Sequence, residues 1–216
     1  MLQIMLRKLR KNINDRFYLK FGKRIFDLLL GLLILILILP LILLIAVIIF
    51  IKDGAPVLFI QYRLGKDFKK FKLFKFRTMI NDTEPTGPIV TRSGDPRITK
   101  TGKFLRKYKI DELPQLWNVI KGEMSLVGPR PERAEFVNQF QKDYRTILSI
   151  KPGITDYASL EYRNEEELLK NSPNYEEIYI QEILPRKIQL YKAYIDNISF
   201  GTDLKIMFQT AWRIVI

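Results

Sequence analysis

The chain of 216 residues contains no histidine and no cysteine. Without imidazole there is no histidine general base and no Ser-His-Asp triad. Without thiols there is no cysteine nucleophile and no disulfide framework, and both residue types that dominate structural zinc sites are missing. If the protein is an enzyme, its chemistry must be carried by carboxylates, Lys, Arg, Tyr, Ser or Thr.

Acidic residues are few relative to basic ones. Lys and Arg total 36 against 23 Asp and Glu, which gives a formal net charge of +13 and a pI near 9.8. Such a balance favours an anionic partner, which could be nucleic acid, a phospholipid surface or a phosphorylated substrate. The length suits one domain of ordinary size.

Charge is absent from one long segment. Residues 28–51 are apolar and almost entirely Leu and Ile, with Gly31 and Pro40 among the few exceptions. This run exceeds the roughly 20 apolar residues that a membrane helix needs. A signal peptide would have a shorter apolar core followed by a cleavage site of small residues. We therefore expect the segment to remain in the mature protein and to lie in a membrane.

Basic residues crowd both flanks of this segment, so the positive-inside rule favours the cytoplasm for both. Pro40 lies near the centre, where it removes one helical hydrogen bond. Two arrangements are open: a hairpin of two half-helices that dips into the bilayer and returns, or a bitopic helix kinked at Pro40. The predicted division is a basic N-terminal segment (1–24), a membrane segment (25–51) and a cytosolic domain (52–216).

The third segment has the composition of a soluble domain with a basic surface. Its patterns predict the fold class α/β, mostly helical with a small sheet. Strands are predicted at 56–62 and 71–79, a loop at 81–98, and helices at 102–109, 113–120, 132–144, 165–169, 185–194 and 203–216. The apolar stripe of the last helix suits an interfacial membrane helix and a core helix equally.

Asp111 and Glu112 are adjacent carboxylates at the start of a predicted helix, and two roles are open for them. They would cap this helix favourably, because acidic groups complement the positive end of the helix dipole. Alternatively, Arg106 and Lys109 just upstream would keep a carboxylate ionised for use as a nucleophile or a magnesium ligand.

Arg130 lies between two prolines, Pro129 and Pro131, which restrict the backbone on both sides. A guanidinium held in this way is suited to binding phosphate through two parallel hydrogen bonds. A stiff structural turn that happens to contain an arginine would give the same pattern.

Several short motifs follow one another in a recognisable order. They are Lys23-Arg24-Ile25-Phe26-Asp27, the apolar run with its central proline, Lys75-Phe76-Arg77-Thr78-Met79, Asp111-Glu112-Leu113-Pro114-Gln115-Leu116, Gly128-Pro129-Arg130-Pro131, Lys151-Pro152-Gly153-Ile154-Thr155, and Asn197-Ile198-Ser199-Phe200 with Asp203-Leu204-Lys205-Ile206. In these motifs, over about residues 20–216, the chain resembles the bacterial sugar transferases of the small monotopic phosphoglycosyl transferase type.

The resemblance implies that a sugar 1-phosphate is transferred from a UDP-sugar to undecaprenyl phosphate, with release of UMP. It implies that Asp111 is the nucleophile, forms a phosphosugar-aspartate intermediate and contacts Mg²⁺, and that Glu112 assists it. The substrate-binding cations that it implies are Lys75, Arg77, Arg106, Arg130 and Arg163. It also implies a re-entrant helix-break-helix at the cytoplasmic face of the bacterial inner membrane, with phospholipids as partners and without nucleic acid. Whether the protein forms a homo-oligomer is left open.

The chain departs from the family pattern at two places. Leu39 precedes Pro40 where members often have serine, and after Thr155 the chain continues as Asp156-Tyr157-Ala158-Ser159 and then Glu161-Tyr162-Arg163-Asn164. The second region could bear on sugar choice, so the resemblance does not identify the sugar. The alternative function class is a membrane-tethered basic scaffold or nucleic-acid-binding protein, which the charge would also suit.

Overall fold

A computed structural model of the chain describes residues 17–80, 90–170 and 172–215. The apolar run forms one helix, α1 (Lys23–Asp53), which follows a π-helical turn at Tyr18–Gly22. Helix α1 continues across Pro40, so the break into two half-helices that we predicted is not observed. A proline removes one hydrogen bond, but it need not end a helix whose other residues are good helix formers. Most of the predicted basic segment 1–24 lies outside the described residues.

Two strands follow α1 and form a hairpin. Strand β1 (Leu58–Leu64) pairs antiparallel with β2 (Lys70–Phe76), so that Leu58 is opposite Phe76 and Leu64 is opposite Lys70. Both strands were predicted from the sequence, with slightly different ends. Phe71, Leu73 and Phe76 of β2 are buried, whereas most of β1 is exposed.

The rest of the domain is mainly helical, as predicted, but its sheet content is divided. A second sheet consists of two short parallel strands, β3 (Ser125–Val127) and β4 (Gly153–Thr155). The helices are α2 (Lys100–Lys107), α3 (Gln115–Lys121), α4 (Ala134–Gln139), α5 (Gln141–Ile147), α6 (Tyr157–Glu161), α7 (Glu165–Leu168), α8 (Tyr175–Ile178), α9 (Leu184–Asp196) and α10 (Phe200–Val215). The single helix predicted at 132–144 is therefore two helices, and the predicted loop 81–98 lies partly outside the described residues.

Helix α1 packs against the domain along both of its halves. Its first half contributes Phe26, Leu30 and Ile34 to a cluster with Val119 and Leu126. Its second half buries Ile45 and Ile49 against Phe76 of β2 and Leu105 of α2. The opposite side of α1 is an exposed row of leucine, isoleucine and phenylalanine side chains. One side of the helix therefore belongs to the protein core, and the other faces the surroundings.

Polar contacts fix the first part of α1 to the domain. Lys23 forms an ion pair with Asp203 of α10 at 2.5 Å, and the hydroxyls of Tyr18 and Tyr194 donate to the same carboxylate, each at 2.7 Å. Asp27 accepts hydrogen bonds from the Ser125 hydroxyl and the Leu126 amide, both at 3.0 Å. Because burying a carboxylate is costly unless it is hydrogen-bonded, these donors are needed to keep Asp27 and Asp203 inside the fold.

The other end of α1 is held by Arg77. Its guanidinium donates to the carbonyl oxygens of Asp53, Gly54 and Ala55 at 2.5, 2.6 and 2.9 Å. These carbonyls follow the last turn of the helix, where backbone acceptors otherwise lack partners. The Asp53 carboxylate also accepts from the Thr99 hydroxyl at 3.1 Å. Arg77, predicted to bind substrate, therefore caps the end of α1 in the structure.

Helix α10 combines the two environments between which its sequence could not decide. Asp203 and Ile206 are fully buried in the domain. Phe208 and Trp212 are exposed, with their rings stacked 6.4 Å apart. One face of α10 is thus a core face, and the other presents aromatic rings to the surroundings.

Candidate active site

The carboxylate pair lies in a short 3₁₀ turn, Ile110–Glu112, between α2 and α3. Lys109 enters this turn with left-handed backbone angles (φ 56°, ψ 21°), which are uncommon for any residue except glycine. Asp111 and Glu112 are both buried, with 7% and 8% of their surface exposed. At this degree of burial, the ionisation state of each carboxyl depends on its neighbouring charges and hydrogen-bond donors.

Glu112 is held by two cations. Its carboxylate contacts the Lys75 ammonium at 2.9 Å and accepts two hydrogen bonds from the Arg130 guanidinium, one of them at 3.0 Å. Although burial opposes ionisation, Arg130 and Lys75 hold the pKa of Glu112 well below its usual range. Glu112 is therefore an ionised link between β2 and the loop that follows β3.

Asp111 has the opposite character. Its Oδ1 atom is buried and has no hydrogen-bond partner among residues 17–80, 90–170 and 172–215. Burial and the neighbouring charge of Glu112 raise the pKa of Asp111, and the charges of Lys75, Arg106 and Lys109 oppose this rise only in part. The upstream cations therefore do not keep Asp111 as acidic as we expected from the sequence, because burial outweighs them.

Close packing of two glycines places Arg130. A Cβ atom on Gly153 would lie 2.1 Å from the amide nitrogen of Gly128. No side chain therefore fits at Gly153 while the two backbone segments lie this close. The Gly128 amide donates to Thr155, and the Gly153 amide donates to Pro129, at 3.0 and 2.9 Å. Two motifs that the sequence analysis singled out separately, at 128–131 and 151–155, are therefore one structural unit.

A cavity of about 440 Å³ lies beside the carboxylate pair. Its polar lining includes Lys109, Glu112, Arg130 and Arg163, and its volume is in the range of small-molecule sites. Its apolar lining reaches Ile34 in the middle of α1. Further apolar lining comes from Leu113, Leu116, Leu126, Ile154, Met207 and Ala211. The cavity thus extends from a charged cluster to the apolar helix α1.

The predicted site residues fall into three groups. Lys75, Glu112 and Arg130 form one ionic cluster. Glu112 and Arg130 of this cluster line the cavity together with Arg163, whereas Lys75 lies outside the lining. Asp111 adjoins the cluster, although its own side chain is not among the residues that line the cavity. Arg77 and Arg106 are also outside that lining. Arg106 binds the Glu166 carboxylate of the cavity wall at 2.5 Å and the Thr78 hydroxyl at 3.3 Å.

Sequence reasoning did not single out Glu165 or Lys187, which line the cavity. Two other lining residues, Lys109 and Tyr162, were named only as a cation upstream of the carboxylates and as part of the stretch that could bear on sugar choice. The left-handed backbone of Lys109 leaves no mark in the sequence, because glycine is the usual signal for that conformation. Tyr162, Glu165 and Lys187 come from separate helices or loops, and only folding brings them together.

Comparison with known proteins gives matches over nearly the whole chain. The profile of a family described as "Bacterial sugar transferase" matches residues 18–216. The chain is 37% identical over 197 residues to a UDP-N-acetylgalactosamine-undecaprenyl-phosphate N-acetylgalactosaminephosphotransferase of Aeromonas hydrophila, covering 88% of this chain and 43% of that protein. It is 31% identical over 224 residues to an undecaprenyl-phosphate galactose phosphotransferase of Salmonella typhimurium, covering 97% and 43%.

A shorter relative is matched along most of its own length. The chain is 37% identical over 194 residues to the uncharacterized sugar transferase EpsL of Bacillus subtilis, covering 90% of this chain and 87% of that protein. By contrast, the chain spans less than half of the Aeromonas and Salmonella proteins. The shared part therefore corresponds to one region of those longer proteins.

We predict that the two carboxylates have opposite effects on stability. Asp111→Asn should raise the melting temperature at pH 7, because a carboxyl whose pKa is raised in the folded state costs stability at pH values above its unfolded pKa. The gain should shrink as the pH falls through about 4, the ordinary pKa of Asp in an unfolded chain, because below it the wild-type carboxyl is protonated in both states. Glu112→Gln should lower stability by about 2 kcal/mol, because it leaves the partly buried Lys75 and Arg130 without their counter-charge.

Thermal unfolding of the detergent-solubilised protein between pH 4 and pH 8 measures both effects. Asp196→Asn, at an exposed position on α9, is the control and should change little. A loss of stability in Asp111→Asn at pH 7 would show that its carboxylate is satisfied in the fold, contrary to this description.

Proposed function

The chain belongs to the bacterial sugar transferase family, and we propose that it transfers a sugar 1-phosphate from a UDP-sugar to undecaprenyl phosphate. The observation that carries this proposal is the pair of buried carboxylates, Asp111 and Glu112, with the cations Lys75 and Arg130 beside a cavity that reaches α1. A diphosphate donor needs cations, and a lipid acceptor needs an apolar approach to the same place. The activities that the Aeromonas and Salmonella relatives are named for agree with this combination. They favour a transferase over the alternative of a basic scaffold or nucleic-acid-binding protein.

Asp111 is the group that we assign to attack. One of its carboxylate oxygens would form a bond to the sugar-linked phosphorus of the donor, and the bond from that phosphorus to the bridging oxygen would break, releasing UMP. A phosphate oxygen of undecaprenyl phosphate would then attack the same phosphorus and free Asp111. No hydrogen bond within the described ranges holds Oδ1 in place, so the side chain could turn toward the cavity.

Glu112 is assigned a different task. Its two cations already neutralise it, and an anion paired in this way is a poor nucleophile. It instead positions Lys75 and Arg130, which can then bind the phosphates of the donor. Arg163 on the cavity wall is a third cation available for this purpose. The neighbouring carboxylates thus divide attack and positioning between them.

The residues of the site fit a bound Mg²⁺ ion. Mg²⁺ in proteins is usually held by one or two carboxylates together with substrate phosphates. The partnerless oxygen of Asp111 is suited to this, and no group of three acidic residues that could hold a metal occurs in the part of the chain that the structure describes. When bound, the ion would neutralise phosphate charge and so assist attack by an anion.

The transfer proposal predicts release of UMP without the lipid acceptor. Purified protein mixed with Mg²⁺ and a panel of UDP-sugars should release up to one equivalent of UMP and then stop, because the first half-reaction consumes the nucleophile. Adding undecaprenyl phosphate should restore steady turnover. Asp111→Asn should abolish the first equivalent, whereas Asp196→Asn should keep it. UMP release that strictly requires the acceptor would contradict the two-step reaction.

We further propose that α1 enters and leaves the membrane on the cytoplasmic side of the bacterial inner membrane. Ionic or polar contacts attach both of its ends to the same domain, through Lys23 and Asp27 at one end and Asp53 at the other. A polar domain cannot lie on both sides of a bilayer, and the basic flanks favour the cytoplasm. The exposed apolar side of α1 and the aromatic face of α10 would then contact phospholipid.

Cysteine labelling tests this topology directly, because the natural chain has no cysteine. Single cysteines at Lys20 and Lys66, both exposed, would lie on either side of the membrane segment. In intact cells we expect an impermeant thiol reagent to label neither, and in permeabilised cells to label both. Labelling of position 20 from outside while position 66 stays protected would establish a spanning helix.

A further inference from the structure

One wall of the cavity carries polar groups that the transfer chemistry does not use. Tyr162, Glu165 and Lys187 line this wall. Lys187 forms an ion pair with Glu165, and only 6% of the lysine side chain is exposed. The Lys187 ammonium also lies 5.9 Å from the centre of the Tyr162 ring and 5.0 Å from that of Tyr179. A buried lysine, paired with a partly exposed glutamate, therefore faces the cavity beside an aromatic ring.

Stability alone is a weak reason for this arrangement. The free energy needed to move two charges out of water is about as large as the free energy gained from their attraction. Apolar residues of similar size often give equal or greater stability. The pair is also at a cavity wall, where a ligand can reach it. Recognition of a ligand in the cavity would account for the position of this pair.

The chemistry of the pair matches a sugar. A carboxylate can only accept hydrogen bonds and an ammonium can only donate them, whereas a hydroxyl does both. Two neighbouring substituents of a hexose can therefore bind Glu165 and Lys187 together, one donating and the other accepting. The Tyr162 ring offers an apolar surface to the carbon face of the sugar.

The fold links this wall to the phosphate-binding end of the cavity. The Arg130 amide donates to Oδ2 of Asp156 at 2.9 Å, and Oδ1 of the same carboxylate accepts from the Ser159 amide at 2.5 Å. Asp156 thereby caps α6, and Tyr162 follows directly after that helix. A donor with its diphosphate at Arg130 would extend its sugar along this connected wall.

We propose that Tyr162, Glu165 and Lys187 form the subsite that distinguishes the hexose of the UDP-sugar by its pattern of hydroxyl or acetamido groups. The inference rests on the proposed function, because it assumes a sugar nucleotide in this cavity. Tyr162 lies in the stretch where the chain departs from the family pattern, and Glu165 and Lys187 follow that stretch. The residues that select the sugar are thus separate from Asp111 and Glu112, to which the transfer itself is assigned.

The test compares donors rather than activity alone. The double variant Glu165→Gln/Lys187→Met removes both charges without leaving one buried alone. We measure kcat/KM and equilibrium binding for UDP-glucose, UDP-galactose and their N-acetylated counterparts, together with binding of UMP. The preference for the best donor over the second best should fall at least about tenfold, because a site built to hydrogen-bond a substituent rejects analogues that lack it. UMP, which has no sugar, should bind within twofold of the wild type.

Arg186→Met is the matched control, since Arg186 belongs to the same helix but forms a more exposed ion pair with Glu161 at 3.6 Å. It should leave the donor preference unchanged. If the double variant does not fold, Tyr162→Leu keeps the ion pair and should still reduce the preference. A preference within twofold of the wild type in the folded variants would overturn the subsite, even if all donors reacted more slowly.

Binding and turnover separate this inference from the proposed function. A wild-type protein that binds UDP-sugars selectively but transfers none would contradict the transferase proposal, and the binding ratios would still decide the subsite. A wild-type protein that binds no UDP-sugar would overturn both.

Discussion

The site depends on one buried ionic contact, in which Glu112 binds Lys75 and Arg130 at the same time. Glu112 lies in a 3₁₀ turn, Lys75 in strand β2, and Arg130 in the loop after β3. The contact therefore brings three distant segments of the chain together. Both cations remain close to a cavity that can admit phosphates. A single carboxylate thus organises the cations before any substrate arrives, which lowers the reorganisation that the reaction requires.

The adjacent Asp111 carboxylate gains less from these cations, and that difference underlies the separate roles that we propose for two neighbouring acids. Glu112 takes the partners, and its pKa falls; Asp111 has neither partner, and its pKa rises. A buried oxygen without a hydrogen bond is costly, and such costs are concentrated at functional sites. The family resemblance implies attack by the first acid of the pair, and the oxygen of Asp111 that has no hydrogen-bond partner among the described residues favours this proposal.

Local patterns in the sequence predicted much of this fold. Composition located α1 and β1, and alternation located β2. Contacts between distant segments could not be predicted in this way. The contacts of Arg77 with the end of α1 and the Lys187–Glu165 pair left no local signal, because the partners are far apart in sequence. That Arg77 also binds substrate stays a prediction.

The central claim is that Asp111 is the covalent nucleophile and that Glu112 is not. The most direct test is mass spectrometry of the protein mixed with Mg²⁺ and a UDP-sugar, quenched before any undecaprenyl phosphate is added. We predict a phosphosugar adduct that maps to Asp111, is absent from Asp111→Asn and never maps to Glu112. An adduct on any other residue, or substantial turnover by Asp111→Asn, would contradict the account.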